Sequence, residues 1–533
     1  MTARRAAIGA AVAVWVAILV LFVALSDDPC GIAEDLPCGP PDEAAALVPA
    51  DAYAYLHLVA DRDSEQAQAM AAIANRLPQL SQVAAETIAG AVGRPEALGL
   101  LGSIGPWLGD EAALAAVRGG GGEPSPLMLF AVGDRGGASS FASRLGGGAG
   151  KAVRYRGIEL TTYSGGLTTA LHEGFLLLGS PFVVRSAIDA AATGDSLAAD
   201  AAVESVRLEL PDSRLADLYV SEAGAAVLLE GRGALSDQLD TFVDLDATEG
   251  IGIALEARAD GLGLSVVSLL DPERTAVAPG FFSAFPAFEP QAAQALGPET
   301  LAMLDFSDPS QTVRDLLDQA SAASPSLADA FDRLAAGLRR GGVNLEGGLL
   351  PMLRGEAAVA FAAPEGLPRA TFLATGVDEE EIRPAVAQLQ APLIEAIDPA
   401  QTGQAPTFSQ REIAGVTAQS LQLTPLIELT YAVKEGTLAV STDPGGVADA
   451  LAGGAALAGE PAYKAVTTPP GTRISALVFV DIAGLAQVAE SQAIVRIRGY
   501  ARFREEIGRL AALGLTVRSD ENRLQTSAFL NIE

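Results

Sequence analysis

The sequence predicts an α+β protein: two tandem homologous domains, each a mainly antiparallel sheet with helices packed on one face, preceded by one transmembrane helix. Three observations predict it: an uncharged apolar run near the N-terminus, an internal repeat, and short apolar strands separated by glycine-containing turns. The predicted order is a cytoplasmic tail at 1–5, a transmembrane helix at 6–25, an extracytoplasmic linker at 26–45, a first α+β repeat at 46–270, a linker at 271–290 and a second α+β repeat at 291–533.

The apolar run at residues 6–25 predicts the membrane anchor. It contains no charged residue, and at about 1.5 Å of rise per residue such a helix spans roughly 30 Å, the thickness of a hydrocarbon core. Arginines precede the run and aspartates follow it, so we expect a single-pass protein of the cell membrane, with a cytoplasmic N-terminus and an extracytoplasmic body. A cleaved signal peptide is the alternative, because Ala24-Leu25-Ser26 resembles a cleavage site, but signal peptides usually have shorter apolar regions.

The two cysteines of the chain, Cys30 and Cys38, lie in the predicted linker. In an oxidising compartment such a pair favours a local disulfide. Free thiols are the alternative, and a metal site would need more ligands than two sulfurs provide. We therefore predict a structural disulfide that stiffens the linker.

The charge of the chain limits its partners. A formal net charge of −31 is repelled by the phosphates of nucleic acids and by anionic lipid headgroups. We expect no nucleic-acid partner, and membrane contact only through the N-terminal helix.

The second half of the chain repeats the first, in the same order, after about 250 residues. Matching segments begin at Leu47 and Leu296, at Glu111 and Glu356, at Arg214 and Arg473, and at Leu262 and Leu513. Each match is weak alone, but their shared order indicates a duplication.

Strands, turns and helices alternate within each copy. The turns at residues 172–174 and 434–436 predict hairpins in which Gly supplies the positive φ. Asp378, three glutamates after it, and the spacing of Ile382 and Val386 predict a helix. The predicted strands of the first copy are residues 53–58, 112–117, 127–132, 167–172, 175–179 and 215–220.

The membrane helix, the short cysteine-bearing linker, the Leu-Val-Pro-Ala-Asp-Ala start at Leu47 and the tandem copies together resemble an actinobacterial family, the domain-of-unknown-function family numbered 3352. The resemblance covers most of residues 45–533. It implies a secreted or membrane-anchored bacterial envelope protein without an assigned activity, and it supplies no catalytic residue.

The residues capable of chemistry are few. Of the two histidines, we interpret His57 as a half-exposed strand residue and His172 as a solvated turn residue; their counterparts in the second copy are Asp305 and Lys434. The glycine-rich run at residues 145–152 lacks the first Gly and the final Ser or Thr of a phosphate loop. The sequence therefore predicts no catalytic residue, no cofactor and no metal site.

Carboxylates are plentiful, and two groups of them are candidate sites. Glu111 and Glu356 recur just before a strand, which favours a shared turn or edge-strand contact over an acid/base pair. An acidic group favours a solvated face over a calcium site, because it has no EF-hand pattern; it consists of Asp240, Asp244, Asp246 and Glu249.

The expected function is that of a non-catalytic, membrane-anchored extracytoplasmic envelope protein that binds a partner protein, a wall component or an apolar ligand. The alternative is a carboxylate-dependent extracytoplasmic hydrolase, which would need two acids from separate segments to converge.

Overall fold

The computed structural model has a mixed α/β architecture. It describes residues 41–83, 103–230, 247–277, 285–310, 339, 348–396, 407–424, 427–453, 456–467, 471–491, 500–520 and 522–533. The predicted anchor at 6–25, the cysteine pair Cys30 and Cys38, and three of the four acids in the predicted solvated face lie outside these ranges. Within them, no helix combines the length and apolarity needed to cross a membrane. The chain divides into two compact units, residues 1–277 together with Ile532 (unit 1) and residues 278–531 together with Glu533 (unit 2).

The described strands of unit 1 form one antiparallel sheet in the order β4-β5-β6-β7-β3-β2-β1-β8-β9-β10. The strands are β1 (Ala54–Val59), β2 (Leu108–Arg118), β3 (Pro124–Val132), β4 (Lys151–Tyr155), β5 (Ile158–Thr162), β6 (Thr168–His172), β7 (Phe175–Gly179), β8 (Ala216–Ser221), β9 (Thr248–Arg258) and β10 (Gly261–Leu270).

The helices of unit 1 begin at residues whose side chains accept the first backbone N–H groups. Ser64, Asp134, Ser180 and Asp200 each provide such a cap, which stabilises a helix start by about 1 kcal/mol. The helices are α1 (Glu65–Arg76), α2 (Arg135–Leu145), α3 (Pro181–Thr193), α4 (Ala201–Glu209), α5 (Glu222–Glu230) and α6 (Pro272–Val277), with 3-10 turns at Ala44–Leu47 and Leu197–Ala199.

Helices pack on both faces of the unit 1 sheet, so the prediction of helices on one face is wrong. One core joins α3 and α4 to the face that carries Tyr55, and a second joins α1 and α2 to the face that carries Leu56. The reason lies in the strands: β1 and β7 have four consecutive buried residues each. Such continuous apolar runs are typical of sheets covered on both sides, not of alternating half-exposed strands.

The described strands of unit 2 follow the same order, shifted by ten: β14-β15-β16-β17-β13-β12-β11-β18-β19-β20. They are β11 (Thr300–Ser307), β12 (Glu356–Ala362), β13 (Arg369–Ala374), β14 (Phe408–Ile413), β15 (Val416–Thr424), β16 (Ile427–Lys434), β17 (Thr437–Ser441), β18 (Ala476–Asp481), β19 (Leu510–Asp520) and β20 (Arg523–Ile532).

The helices of unit 2 also cover both sheet faces, since one core contains Val447 and Tyr463 and another contains Ile382 and Val386. They are α7 (Glu379–Gln388), α8 (Gln390–Ala396), α9 (Pro444–Ala452), α10 (Pro461–Val466), α11 (Ile482–Ser491) and α12 (Tyr500–Ile507). The 3-10 turns are Ala292–Gln294, Leu350–Met352, Pro364–Gly366 and Leu457–Gly459.

The local predictions that rest on turn and cap chemistry are confirmed. The strand 175–179 is β7, and the helix after Asp378 is α7, whose first N–H groups bond to the Asp378 carboxylate. At the β6–β7 hairpin, however, Glu173 as well as Gly174 has a positive φ, of 46° and 85°. Positive φ values at both central residues define a type I′ turn, so this turn needs a left-handed conformation at Glu173 as well as at Gly174.

Candidate functional site

The buried histidine of unit 1 is the centre of a charged cluster. His57 lies on β1, opposite Asp217 of β8 and Ala113 of β2, and it is 0% exposed. Our interpretation of His57 as a half-exposed strand residue is therefore wrong. The face of β1 that carries His57 is covered by the packed turn and helices of the unit, so no position in the middle of this strand reaches solvent.

His57 contacts a carboxylate at each ring nitrogen. Its Nδ1 lies 3.4 Å from Asp217 Oδ1, and its Nε2 lies 3.2 Å from Glu111 Oε2, close enough for an ion pair although the hydrogen bond is not well formed. The Nε group of Arg214 donates to the same Asp217 oxygen at 2.8 Å. Asp217 thus lies between two cationic groups.

These contacts keep the imidazole charged. Burial favours the neutral ring, but the hydrogen bonds to Asp217 and Glu111 outweigh it and raise the pKa of His57 to about 10. Burial likewise disfavours the Asp217 carboxylate, but His57 and Arg214 lower the pKa of Asp217 to about 2. At neutral pH both members of the pair are therefore ionised.

The same cluster binds the chain segment that enters unit 1. Glu111 Oε1 accepts the backbone N–H of Glu43 at 3.2 Å, and Oε2 accepts that of Ala44 at 3.5 Å. Asp42 Oδ1 accepts the N–H of Ala45 at 3.0 Å. These bonds satisfy N–H groups at the start of the 3-10 turn, which would otherwise have no partner in the helix.

Asp42 is itself fixed by two side chains from the sheet and α4. The Tyr55 hydroxyl donates to Asp42, and Arg207 forms an ion pair with it. Burial and the Asp42 carboxylate raise the pKa of Tyr55 well above its usual range, so its hydroxyl stays a donor. With a charged His57, the cluster holds three carboxylates, two guanidiniums and one imidazolium, and its charges balance.

Unit 2 has a buried acid at the equivalent position. Asp305 of β11 pairs with Ala358, which lies two residues after Glu356, as His57 pairs with Ala113, two residues after Glu111. Glu356 Oε1 accepts the N–H groups of Gln291 and Ala292 at 2.6 and 2.7 Å. The recurrence of Glu111 and Glu356 is therefore a turn contact, which was the favoured interpretation.

Asp305 is neutral where His57 is charged. Its side chain is 0% exposed, and neither carboxyl oxygen has a well-formed hydrogen bond among the described residues. Burial, and then the adjacent Glu356 carboxylate, raise the pKa of Asp305 to about 9, although the backbone N–H of Phe306 opposes the rise. A protonated Asp305 can donate to Glu356. Across the sheet from it stands Leu477 in place of a counter-ion.

A cation site at the unit 1 cluster would have to displace existing partners. Asp42, His57 and Glu111 each offer a ligand atom, all within 4.8 Å of one another. Arg207 and Tyr55 already engage Asp42, and backbone N–H groups engage Glu111. The arrangement therefore acts chemically as a compensated ionic cluster that fixes the entering chain.

An open cleft of about 670 Å³ lies beside this cluster, bounded by described residues of unit 1. Glu111 and Arg214 belong both to the cluster and to the cleft wall, and each is 7% exposed. Six further carboxylates line the cleft; they are Glu43, Asp61, Glu65, Asp110, Glu173 and Asp212.

His172 and its counterpart Lys434 both lie at the ends of strands. His172 ends β6 at the hairpin, half-buried, and Lys434 ends β16 with its Nζ donating to the carbonyls of Ala414 and Leu451 at 3.2 and 3.1 Å.

The structural match between the two units differs by one residue from the sequence match of Arg214 with Arg473. The Leu215 and Ser475 N–H groups make equivalent bonds to β9 and β19, which places Ile474 where Arg214 stands.

Sequence reasoning missed Asp42, Tyr55, Arg207 and Asp217. The signal available was local: Arg214 and Asp217 are three residues apart at the start of a predicted strand. It became interpretable only once the register of β1 and β8 placed Asp217 opposite His57.

Comparisons with known proteins identify the family and little more. A search of curated proteins finds no match. Two solved structures are similar at low identity: crystal form I of TP0453, at 10% identity over 46% of this chain and 88% of that one, and crystal form III, at 10% over 43% and 80%, each with a TM-score of 0.27. The model of one family, described as "Protein of unknown function (DUF3352)", matches residues 6–532, and this chain belongs to that family.

Proposed function

We propose that this chain is a non-catalytic bacterial envelope protein, anchored in the membrane by residues 6–25, whose extracytoplasmic body binds a partner protein or a wall component. One observation carries the proposal: the strongly perturbed titratable groups on β1 and β11, His57 and Asp305, are 0% exposed and contact the glutamates that bind the entering chain. Perturbed groups of this kind can mark catalysis, but structural networks produce them too.

The proposal includes two homologous domains that arose by duplication. The identical strand order of the two units supports it, as does the shared bond from Glu111 and Glu356 to a 3-10 turn. In this proposal, the disulfide between Cys30 and Cys38 stiffens the segment between anchor and body.

The cleft favours a polar partner over an apolar ligand. Six carboxylates line it besides Glu111, and a lipid-binding cavity would be lined mainly by apolar side chains. The alternative function, a carboxylate-dependent hydrolase, receives no support from the recurring acids. Glu111 and Glu356 belong to different units, and each already accepts backbone N–H groups.

Protease accessibility tests the proposed location. A full-length chain with a C-terminal epitope should lose that epitope when protease is added to intact cells whose outer layers have been permeabilised, while a cytoplasmic marker stays whole. The variant Val14→Arg/Leu19→Arg interrupts the apolar run and should no longer fractionate with membranes. An epitope that is protected until the cells are lysed would contradict the proposal.

The variant Glu111→Gln distinguishes the proposed binding function from the alternative hydrolase function. The purified full-length variant should show the same background as the natural chain towards peptide, ester and glycoside substrates. A hydrolytic activity of the natural chain that the variant loses would establish the alternative instead.

A further inference from the structure

We infer that the edge strand β4 of unit 1 binds an extended acidic segment of a partner protein, which joins the sheet as a further strand. The inference rests on the proposed binding function and names the chemistry of the partner. The starting observation is that β4 ends the sheet of unit 1: it pairs with β5 on one side, and no other described strand pairs with it.

The main chain of β4 is available on its outer side. The β4–β5 hairpin turns at Arg156 and Gly157, which both have a positive φ, of 48° and 85°. In a two-residue turn of this type the two flanking residues form a hydrogen-bonded pair, and such pairs then alternate along the strands. Ala152 and Arg154 therefore direct their N–H and C=O groups away from β5. These two donors and two acceptors have the spacing that another extended peptide matches.

The side chains of β4 leave this edge accessible. Lys151, Ala152, Val153 and Arg154 are all exposed, and the apolar side chain of Val153 is 43% exposed. Natural edge strands are often protected from strand addition by a proline or a bulge. β4 contains no proline, and its register with β5 runs without a shift over five residues. The backbone of β4 therefore permits the addition of a strand.

The charges of β4 determine which strand it accepts. Lys151 and Arg154 form no ion pair within the described part of the chain, although Glu159 of β5 lies opposite Arg154 in the register. Opposite charges on neighbouring strands stabilise their pairing, and like charges destabilise it. The β4 strand of a second copy would bring like charges together. A strand with two acidic residues three positions apart would place one carboxylate beside each cation.

The net charge of −31 does not cancel this local preference. At physiological ionic strength, charges on the surface that lie more than about 8–10 Å apart are largely screened from each other. A strand added to β4 has its side chains about 5 Å from those of β4, well inside that distance. The cations of the edge therefore dominate the interaction with an added strand.

The equivalent edge of unit 2 has the same backbone without the unpaired cations. β14 ends its sheet and turns into β15 at Ala414 and Gly415, which both have a positive φ. Its arginine, Arg411, forms an ion pair with Glu428 at 2.7 Å, and the next residue, Glu412, is acidic. β14 is therefore the internal control for strand addition that does not depend on charge.

Fluorescence anisotropy of a labelled peptide, Thr-Glu-Val-Val-Glu-Thr, tests the inference on the purified full-length protein in detergent micelles. Ala152→Pro removes an outward N–H and keeps the bonds between β4 and β5, so it should weaken peptide binding more than about tenfold. Gln410→Pro, the corresponding change in β14, should alter binding less than about twofold. Folding is checked by the fluorescence of Trp107, which is buried in unit 1, and by circular dichroism.

The contribution of charge is measured with a second pair of variants. Lys151→Gln/Arg154→Gln should weaken peptide binding about fivefold, as two exposed ion pairs of modest strength predict. Arg135→Gln/Arg144→Gln removes two exposed arginines of α2 and should change it less than about twofold. A peptide with glutamine in place of both glutamates should bind the natural chain about fivefold more weakly than the acidic peptide.

Four results would overturn the inference: no binding of the acidic peptide at millimolar concentration, unchanged binding by the Ala152→Pro variant, equal losses in the two charge variants, or equal binding of the glutamine peptide. A dimer in sedimentation experiments that Ala152→Pro dissociates would also overturn it, because a second copy would then occupy the edge. The peptide assay uses purified protein, so its failure leaves the proposed location, which protease accessibility tests, untouched.

Discussion

The two units meet the same structural need with opposite chemistry. In each, a glutamate at the start of the second strand binds the N–H groups of the entering turn, and a buried group on the first strand supports that glutamate. Unit 1 uses the imidazolium of His57, whereas unit 2 uses the neutral carboxyl of Asp305. A carboxylate can be supported by a cation or by a protonated acid.

The remaining differences follow from that choice. A buried cation needs a counter-ion, and unit 1 supplies Asp217, which is itself flanked by Arg214. A neutral acid needs none, and unit 2 has Leu477 at the position of Asp217. These residues are therefore constrained as a coupled set, so a single exchange between the units should be costly.

The largest effect is expected for Asp217→Leu, which places the unit 2 residue in unit 1. It leaves His57 and Arg214 buried without their shared carboxylate, and removing one partner of a buried pair costs about 3–5 kcal/mol. We expect that loss in the free energy of unfolding, measured by urea titration of the full-length chain with Trp107 fluorescence as the signal of unit 1. Leu477→Ala, a change in unit 2, is the control; a variant as stable as the natural chain would show that the ion pairs contribute little.

The pH dependence of stability distinguishes the units between about pH 4 and 6.5. The pKa of Asp305 is raised from 3.8 to about 9, so its stabilising contribution is complete below pH 4 and is lost as pH rises towards 9. The contribution of His57, raised from 6.5 to about 10, is complete below pH 6.5, and that of Asp217, lowered to about 2, is complete above pH 4. Between pH 4 and 6.5, a rise in pH therefore lowers the stability of unit 2 through Asp305, while the contributions of His57 and Asp217 to the stability of unit 1 stay constant.

Hydrogen exchange with mass spectrometry can follow this loss in peptides of β11, with peptides of β1 as the internal reference. One buried acid lowers stability by at most about 1.4 kcal/mol per pH unit. Asp305→Asn should remove the slope in β11, because the amide stays neutral and can still donate to Glu356. Equal slopes in β1 and β11, or a slope that survives in the variant, would refute the assignment of a neutral Asp305.

A double-mutant cycle tests whether the positions of His57 and Asp217 are energetically coupled. His57→Asp and Asp217→Leu each disrupt unit 1 alone, but together they reproduce the pair Asp305 and Leu477 of unit 2. We expect the double variant to be more stable than the sum of the two single effects by about 0.5–3 kcal/mol, the usual range for residues in one network. Strict additivity would mean that the two positions do not interact.

The sequence could predict features that depend on neighbouring residues. It could not predict features that depend on which distant strands pair with each other. Turn glycines and the Asp378 cap act within a few residues, so their patterns located β7 and α7. The environment of His57 depends on Asp217, 160 residues away, and on Glu111. Alternation in β1 could not reveal this, because the strand is buried on both faces. The open cleft was equally out of reach, since its lining comes from several distant segments.

The smallest effect is expected where the units agree. Glu173 and Glu435 both hold a positive φ, 46° and 51°, at the first central position of a type I′ hairpin. A left-handed conformation costs a side chain such as Glu roughly 1–2 kcal/mol, and Asn tolerates it better. Glu173→Asn and Glu435→Asn should therefore each stabilise their own unit, by less than about 1 kcal/mol, as measured by hydrogen exchange in β7 and β17. Because the two turns have the same geometry, the two gains should be equal; a gain in one hairpin and a loss in the other would show that the units differ at their turns as well as at their buried charges.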